Sequence, residues 1–249
     1  MLDISNSSPK YRAKRFDLRR LLIKLSKTAE IIPSGLFLDH VLCDDRETLQ
    51  IGGYADIFRG TVHGRAIALK RLRVSMVLQQ NRKYIQEFSR EALIWCYLQH
   101  PHILEFMGVD RATFKGFYCM VSPWMEFGSI TCCMEKLDEL GVQIPYARWL
   151  LEIALGLEYL HGERIVHGDL RGANILIDGQ MRVRLADFGL ALFADSTLTQ
   201  SRAGGAIRWL CPHLLKGTVS RPEFASDVYS YGCVSTPGSA LILNSPTSR

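Results

Sequence analysis

The sequence predicts an α+β protein of two unequal lobes, a small one rich in strands and a larger one mainly helical. Three observations carry this expectation. The chain has 249 residues and 47% hydrophobic content, enough for a full core in one large domain or two lobes. Between about residues 37 and 75 it runs in short segments rich in β-branched and aromatic residues, broken by turn residues, which is the pattern of strands. After Gly128 the apolar residues recur at helical spacing, and strands followed by helices is the order of an α+β fold.

The elements follow in chain order. Residues 16–31 read as an amphipathic helix: Leu18, Leu21, Leu22, Leu25 and Ala29 recur at helical spacing, while Arg15, Arg19, Arg20, Lys24 and Lys27 fill the other faces. Pro33-Ser34-Gly35 stops it. Such a stripe ordinarily lies on its own domain, so the expectation is a docking helix with its leucines turned inward; a helix for a membrane surface or a partner is the alternative. LQIGGYADIFRG (49–60), a TVHG turn and RAIALKRLRV predict an antiparallel meander. A helix with Ile85, Phe88, Ala92 and Trp95 on one face comes next, then FYCMVSP as a strand. Leu150, Ile153, Ala154, Leu157 and Leu160 form a buried helical stripe that ends at His161-Gly162. The expected division is an N-terminal extension with a basic helix (1–36), a small lobe (37–125), a larger lobe (126–234) and a poorly ordered Ser/Pro/Gly-rich tail (235–249).

Charge and cysteine usage narrow the function classes. The net charge is +5, but residues 10–27 hold eight Lys/Arg against the single acid Asp17, so the remainder is slightly acidic. One local basic segment is expected, not a basic surface for nucleic acid. The opening MLDISNSSPKYRAKR lacks the apolar run of a secretory signal, and no stretch approaches the roughly 18 apolar residues of a transmembrane segment. Seven cysteines form no CxxC pair and no zinc-like spacing. Reduced thiols inside the cell, in the cytoplasm, are the expectation.

Two segments of the second half carry chemistry, HGDLRGANILI (167–177) and ADFGLA (186–191). Asp169, Asn174 and Asp187 could each be an ordinary turn residue. Together, at this spacing and just past a long apolar helix, they resemble the catalytic and metal-binding loops of the eukaryotic protein kinase catalytic domain. Phosphoryl transfer needs a carboxylate to orient and deprotonate the acceptor hydroxyl, and oxygen ligands to hold Mg²⁺ on the phosphates. The resemblance implies that Asp169 is the base and that Asn174 and Asp187 are the metal ligands.

The first half supplies matching pieces. LQIGGYADIFRG resembles the glycine-rich loop over the ATP phosphates, where Gly52 and Gly53 let backbone N–H groups approach phosphate oxygens. Gln50 and Ala55 stand where the family has its first and third glycines. Lys70 in IALK, ten residues after Gly60, holds the place of the family's phosphate-binding strand lysine. Glu91 shares the helix face of Phe88 and Trp95 and would be its ion-pair partner. The resemblance also implies a hinge at residues 120–125, with the backbone of Pro123 and Met125 on the adenine edge and Ser122 at the rear. Ile57, Ala68 and Leu176 would sandwich the adenine, although such residues would be core in any fold. Residues 204–217 and 224–234 resemble the end of the activation segment and the helix after it, with Asp227 receiving hydrogen bonds from the catalytic-loop backbone.

The resemblance covers residues 38–234, is closest to the tyrosine-kinase-like group, and implies an ATP- and Mg²⁺-dependent transferase acting on a protein hydroxyl. Arg171 resembles one branch of cytoplasmic tyrosine kinases, whereas the rest resembles a group that mostly phosphorylates Ser/Thr, so Ser/Thr is expected over Tyr. Three departures support a rival, a non-catalytic pseudokinase that binds nucleotide or a partner protein. Gly168 replaces the arginine before the catalytic aspartate, which removes a guanidinium partner for a phosphorylated activation segment. Cys211-Pro212-His213 replaces Ala-Pro-Glu, and the family's later helices do not follow Ser235, implying a C-terminally truncated domain. A third reading is an adaptor that uses residues 10–27 on a partner or an acidic membrane.

Overall fold

A computed structural model describes residues 9–29, 31–44, 50–51, 55–72, 82–193 and 209–236. The chain divides into two compact units, one of residues 1–98 and 106–123, the other of residues 99–105 and 124–249.

The first unit is built on an antiparallel sheet. Its strands are β1 (Val41–Cys43), β2 (Gln50–Ile51), β3 (Ala55–Val62), β4 (Arg65–Leu72), β5 (Gly108–Asp110) and β6 (Cys119–Pro123). They lie in the order β1-β3-β4-β6-β5, with β2 also paired to β3. The expected meander is present, and its turn is only two residues long. His63 and Gly64 have φ of 49° and 76°, the left-handed pair whose twist suits a tight hairpin. Alternation then sorts the faces. Phe58, Val62, Ile67 and Leu69 pack with Phe114, Cys119 and Val121. Arg71 shares that face through an ion pair to Asp56 at 3.0 Å and a guanidinium lying over the Phe58, Phe114 and Phe117 rings. A Cβ at Gly60 would strike the Leu42 carbonyl of β1, so close strand approach requires glycine there. The other face of β3 and β4 carries Ile57, Ala68 and Lys70, all half-buried. Ile57 is the register partner of Lys70.

Two helices complete this unit, α1 (Pro9–Ala29) and α2 (Arg82–Trp95). Phe88, Ala92 and Trp95 of α2 are buried, with Phe88 against Tyr118 and Trp95 against Phe106. The α1 expectation is overturned in its orientation. Leu18, Leu21, Leu22 and Leu25 are exposed, whereas Arg19 and Ser26 are buried. The Arg19 guanidinium donates to the Tyr97 carbonyl at 3.3 Å and lies 5.2 Å from the Tyr97 ring centroid. An arginine stem packs like a hydrocarbon once its head finds a carbonyl and a ring face, so a basic position can hold the seat that the pattern assigned to leucine.

The second unit is mainly helical, with α3 (Ile130–Glu139), α4 (Tyr146–Gly162), α5 (Pro212–Leu215) and α6 (Phe224–Ser235). It adds two short antiparallel pairs, β7 (Ile165–Val166) with β10 (Leu192–Phe193), and the hairpin β8 (Ile175–Ile177) with β9 (Val183–Leu185). Ser129 caps α3 by accepting from Cys132 N–H. On α4 the expected stripe is buried at Ile153, Leu157 and Leu160, joined by Trp149. Gly156 interrupts that stripe because a Cβ there would meet Leu185 Cδ1 at 2.8 Å and the His102 carbonyl at 3.0 Å. Glu223 and Ser226 form a reciprocal capping box at the start of α6. The expected tail from residue 237 onward, and Gly52 and Gly53, lie outside the described residues.

Candidate active site

Within the first unit, β4 presents Lys70 and α2 presents Glu91, and the two meet. Lys70 Nζ lies 2.8 Å from Glu91 Oε1, with the glutamate side chain 6% exposed and the lysine 18%. Partial burial makes this pair stronger than a surface ion pair. Ile57 and Ala68 flank Lys70 on the same half-open face. Pro123 ends β6, and Ser122 beside it is buried opposite Ala68.

Within the second unit, the loop after β7 is a hydrogen-bonded lattice. Asp227 of α6 is 1% exposed and accepts from His167 N–H at 2.8 Å, Gly168 N–H at 2.9 Å and the His161 ring at 2.9 Å. A buried carboxylate with three donors is a satisfied one. The His167 ring accepts from Asp169 N–H at Nδ1, so Nε2 carries the proton and donates to the Ala186 carbonyl at 3.1 Å. His167 therefore joins the loop bearing Asp169 to the segment bearing Asp187.

Asp169 accepts from the Asn174 amide at 2.9 Å and from the Arg171 guanidinium at 3.2 Å. The Asn174 Nδ2 group also donates to the Asp169 carbonyl at 2.8 Å. Both partners are acceptors, so the orientation of this amide follows from its neighbours, and oxygen is the atom Asn174 has to offer a cation. Burial pushes the Asp169 carboxyl above its ordinary range; Arg171, His167 and the Asn174 hydrogen bond oppose this, and the Asp187 charge adds to it. Asp187 sits at φ 65°, a left-handed conformation that costs a non-glycine residue about 1–3 kcal/mol and clusters at functional sites. Its Oδ1 accepts weakly from Gly189 N–H at 3.4 Å. Two oxygen donors of this hardness, one carboxylate and one amide carbonyl, fit Mg²⁺. In the same unit Leu176 is half-buried on β8 and bridges to Ser129, and the Met125 carbonyl accepts from Gly128 N–H.

The departures have local explanations. Gly168 is at φ 78°, and a Cβ there would come 2.9 Å from the Leu190 carbonyl, so this backbone favours glycine over arginine. His213 is exposed and bonds locally, to Thr218 and Val219. Three polar residues that brace the loop or the neighbouring strand β9 were not singled out for these tasks from the sequence. His161 and the His167 ring wire the loop, and buried Glu152 accepts from Val183 N–H and Arg182. A histidine two residues before the candidate base was the only available signal.

A family model described as protein tyrosine and serine/threonine kinase matches residues 44–236. The chain belongs to the protein kinase family. Its motifs place it in the tyrosine-kinase-like group, as its relatives support. This kinase domain is 31% identical over 186 residues to the serine/threonine/tyrosine-protein kinase HT1 of Arabidopsis thaliana, a match covering 74% of this chain and 46% of that protein. It is 33% identical over 190 residues to the probable serine/threonine-protein kinase drkD of Dictyostelium discoideum, covering 74% of this chain and 14% of that protein. With the Arabidopsis thaliana serine/threonine-protein kinase STY17 it shares 30% over 184 residues, 74% of this chain and 31% of that one. The match thus spans less than half the length of these relatives.

Proposed function

We propose that the protein transfers the γ-phosphate of ATP to a protein hydroxyl, with serine or threonine favoured over tyrosine. The observation that carries this is the Asp169–Asn174 arrangement, in which the amide nitrogen of Asn174 is spent on Asp169 and its oxygen is left for a cation. Asp169 would orient the acceptor hydroxyl and take its proton, which requires the ionised carboxylate that Arg171 favours. Mg²⁺, when bound, would neutralise charge developing on the phosphates. Asn174 and Asp187 would hold it there. Lys70 would place a positive charge on phosphate oxygens, aimed by Glu91. Gly52 and Gly53 would cover the phosphates, and Ile57, Ala68 and Leu176, with backbone at Pro123 and Met125, would hold the adenine.

Relatives named as serine/threonine kinases support the acceptor preference. None of the seven cysteines forms a disulfide. Burial raises the Cys96 thiol to about 11 and pushes those of Cys119 and Cys133 up as well. Such protonated, core-like thiols fit a cytoplasmic location. No helix of the described residues is long and apolar enough to cross a membrane. A net positive charge confined to residues 10–27, the remainder being slightly acidic, favours a local contact with a partner or membrane surface over nucleic-acid binding.

The test is incubation of the 249-residue chain with labelled ATP, Mg²⁺ and a mixed Ser/Thr/Tyr substrate, followed by phosphoamino-acid analysis. Transfer to serine or threonine that disappears in Asp187→Asn is the expected result. Nucleotide binding with no transfer would instead establish the non-catalytic reading.

A further inference from the structure

The leucines of α1 that the sequence pattern would turn inward face outward. Leu18, Leu21, Leu22 and Leu25 are 59%, 51%, 42% and 56% exposed. They stand at i, i+3, i+4 and i+7, which makes one continuous ridge along the helix. Ile31, just past the helix end, is 62% exposed as well. The seat of α1 is the neighbouring face, through buried Arg19 on Tyr97; beside it the buried Ser26 hydroxyl donates to the Ile31 carbonyl just past the helix end. This same segment is the strongly basic one, with eight Lys/Arg against Asp17 over residues 10–27, in a chain whose remainder is slightly acidic.

We propose that α1 docks the protein onto an anionic lipid bilayer. The leucine ridge enters the headgroup–acyl boundary, and basic residues of this segment other than Arg19, among them exposed Lys24, meet the negative headgroups. Two features favour a bilayer over a protein groove. Leucines on one face with Lys/Arg on the rest and low net hydrophobicity is the make-up of an interfacial helix. A cluster of 4–8 basic residues on an amphipathic helix also matches the negative potential of a leaflet containing phosphatidylserine. The segment's single acid gives little of the alternating-sign pattern by which protein helices choose partners. Because α1 is already seated through Arg19 on a face beside the ridge, the leucines are available without α1 leaving its seat. This docking stands apart from the phosphoryl-transfer reading and is tested without measuring activity.

The experiment is flotation of the whole 249-residue chain with phosphatidylcholine vesicles, with and without about 30% phosphatidylserine, at low and physiological salt. Wild type is expected to float with the phosphatidylserine vesicles, at least about tenfold more tightly than with phosphatidylcholine alone, and less tightly as salt rises. The Leu21→Glu/Leu25→Glu pair is expected to lose at least about tenfold of that binding with an unchanged melting temperature, since both side chains are exposed. Lys24→Glu is expected to lose about threefold. Should the double glutamate variant melt early, Leu21→Ala/Leu25→Ala is read instead, and the same direction of loss is required. The proposal is overturned if wild type ignores phosphatidylserine vesicles, or if it binds both vesicle types equally. It is also overturned if self-association or binding of an acidic peptide, but no vesicle binding, is what the leucine substitutions abolish.

Discussion

Lys70–Glu91 in the first unit and the Asp169–Asn174–Asp187 group in the second are held in different ways. The first joins a strand to a helix through a part-buried ion pair. The second is a lattice: Asp227 fixes the loop backbone, His167 joins that loop to the segment of Asp187, and Asn174 grips Asp169 through two hydrogen bonds. A group tied at several points is preorganised, which is where electrostatic catalysis obtains most of its effect. A part-buried ion pair between two elements is adjustable by comparison, because small movements of the helix change its length and strength. The lattice should therefore be brittle to substitution and the pair more forgiving, except at the charge that would meet phosphate.

The largest effects are expected at those charges. Asp187→Asn and Lys70→Met should each lower the rate of phosphate transfer by at least about 100-fold, because charge and positioning are nearly all the protein contributes to this chemistry. Initial rates with labelled ATP measure it, and near-wild-type turnover in either variant would remove that residue from the site. Asp227→Asn replaces a triple acceptor by a group with a single acceptor oxygen and leaves at least one buried donor unmet, at a cost of about 1–3 kcal/mol. Calorimetry should show the lower melting temperature; an unchanged melt would mean that the lattice is not what holds the loop.

Gly168→Arg forces a side chain onto a left-handed backbone against the Leu190 carbonyl and should destabilise by about 1–2 kcal/mol. Equal stability of the variant would show that the loop shifts freely, contrary to the contrast drawn above. Glu91→Gln keeps an acceptor for Lys70 and loses only charge, so about tenfold in activity is expected, seen mostly in KM for ATP. A loss as great as that of Asp187→Asn would make the two regions equally brittle. The smallest effect concerns Asp169. Its folded carboxyl titrates above the ordinary range because of burial, so the unfolded chain releases that proton first as pH rises. Stability should then fall with rising pH through the window from the ordinary carboxylate value to the raised one. Melting temperatures in a chelating buffer should show that downward slope in wild type and less of it in Asp169→Asn.

Much of the candidate site was legible because spacing along the chain carries it. Asp169, Asn174 and Asp187 stand in segments whose motifs resemble the kinase loops, and Glu91 is marked by the helix face it shares with Phe88 and Trp95. The meander was legible for the same reason, since alternation and a His-Gly turn are short-range signals. His161 and Glu152 were not, because their partners lie 66 and 31 residues away. A polar residue on a helix reveals nothing about the donor it will meet until the chain has folded.

The helices α1 and α4 mark the limit. Both carry apolar residues at helical spacing; α4 buries Ile153, Leu157 and Leu160, whereas α1 exposes Leu18, Leu21, Leu22 and Leu25 and buries Arg19. The sequence by itself determined that each segment would be helical, which residues would share a face, and which side chains could perform phosphate chemistry. The tertiary structure alone decided what each face meets. Periodicity is a property of the helix, whereas burial depends on the surface opposite it. For α1 that surface includes the Tyr97 carbonyl and ring, which a guanidinium satisfies and a leucine cannot.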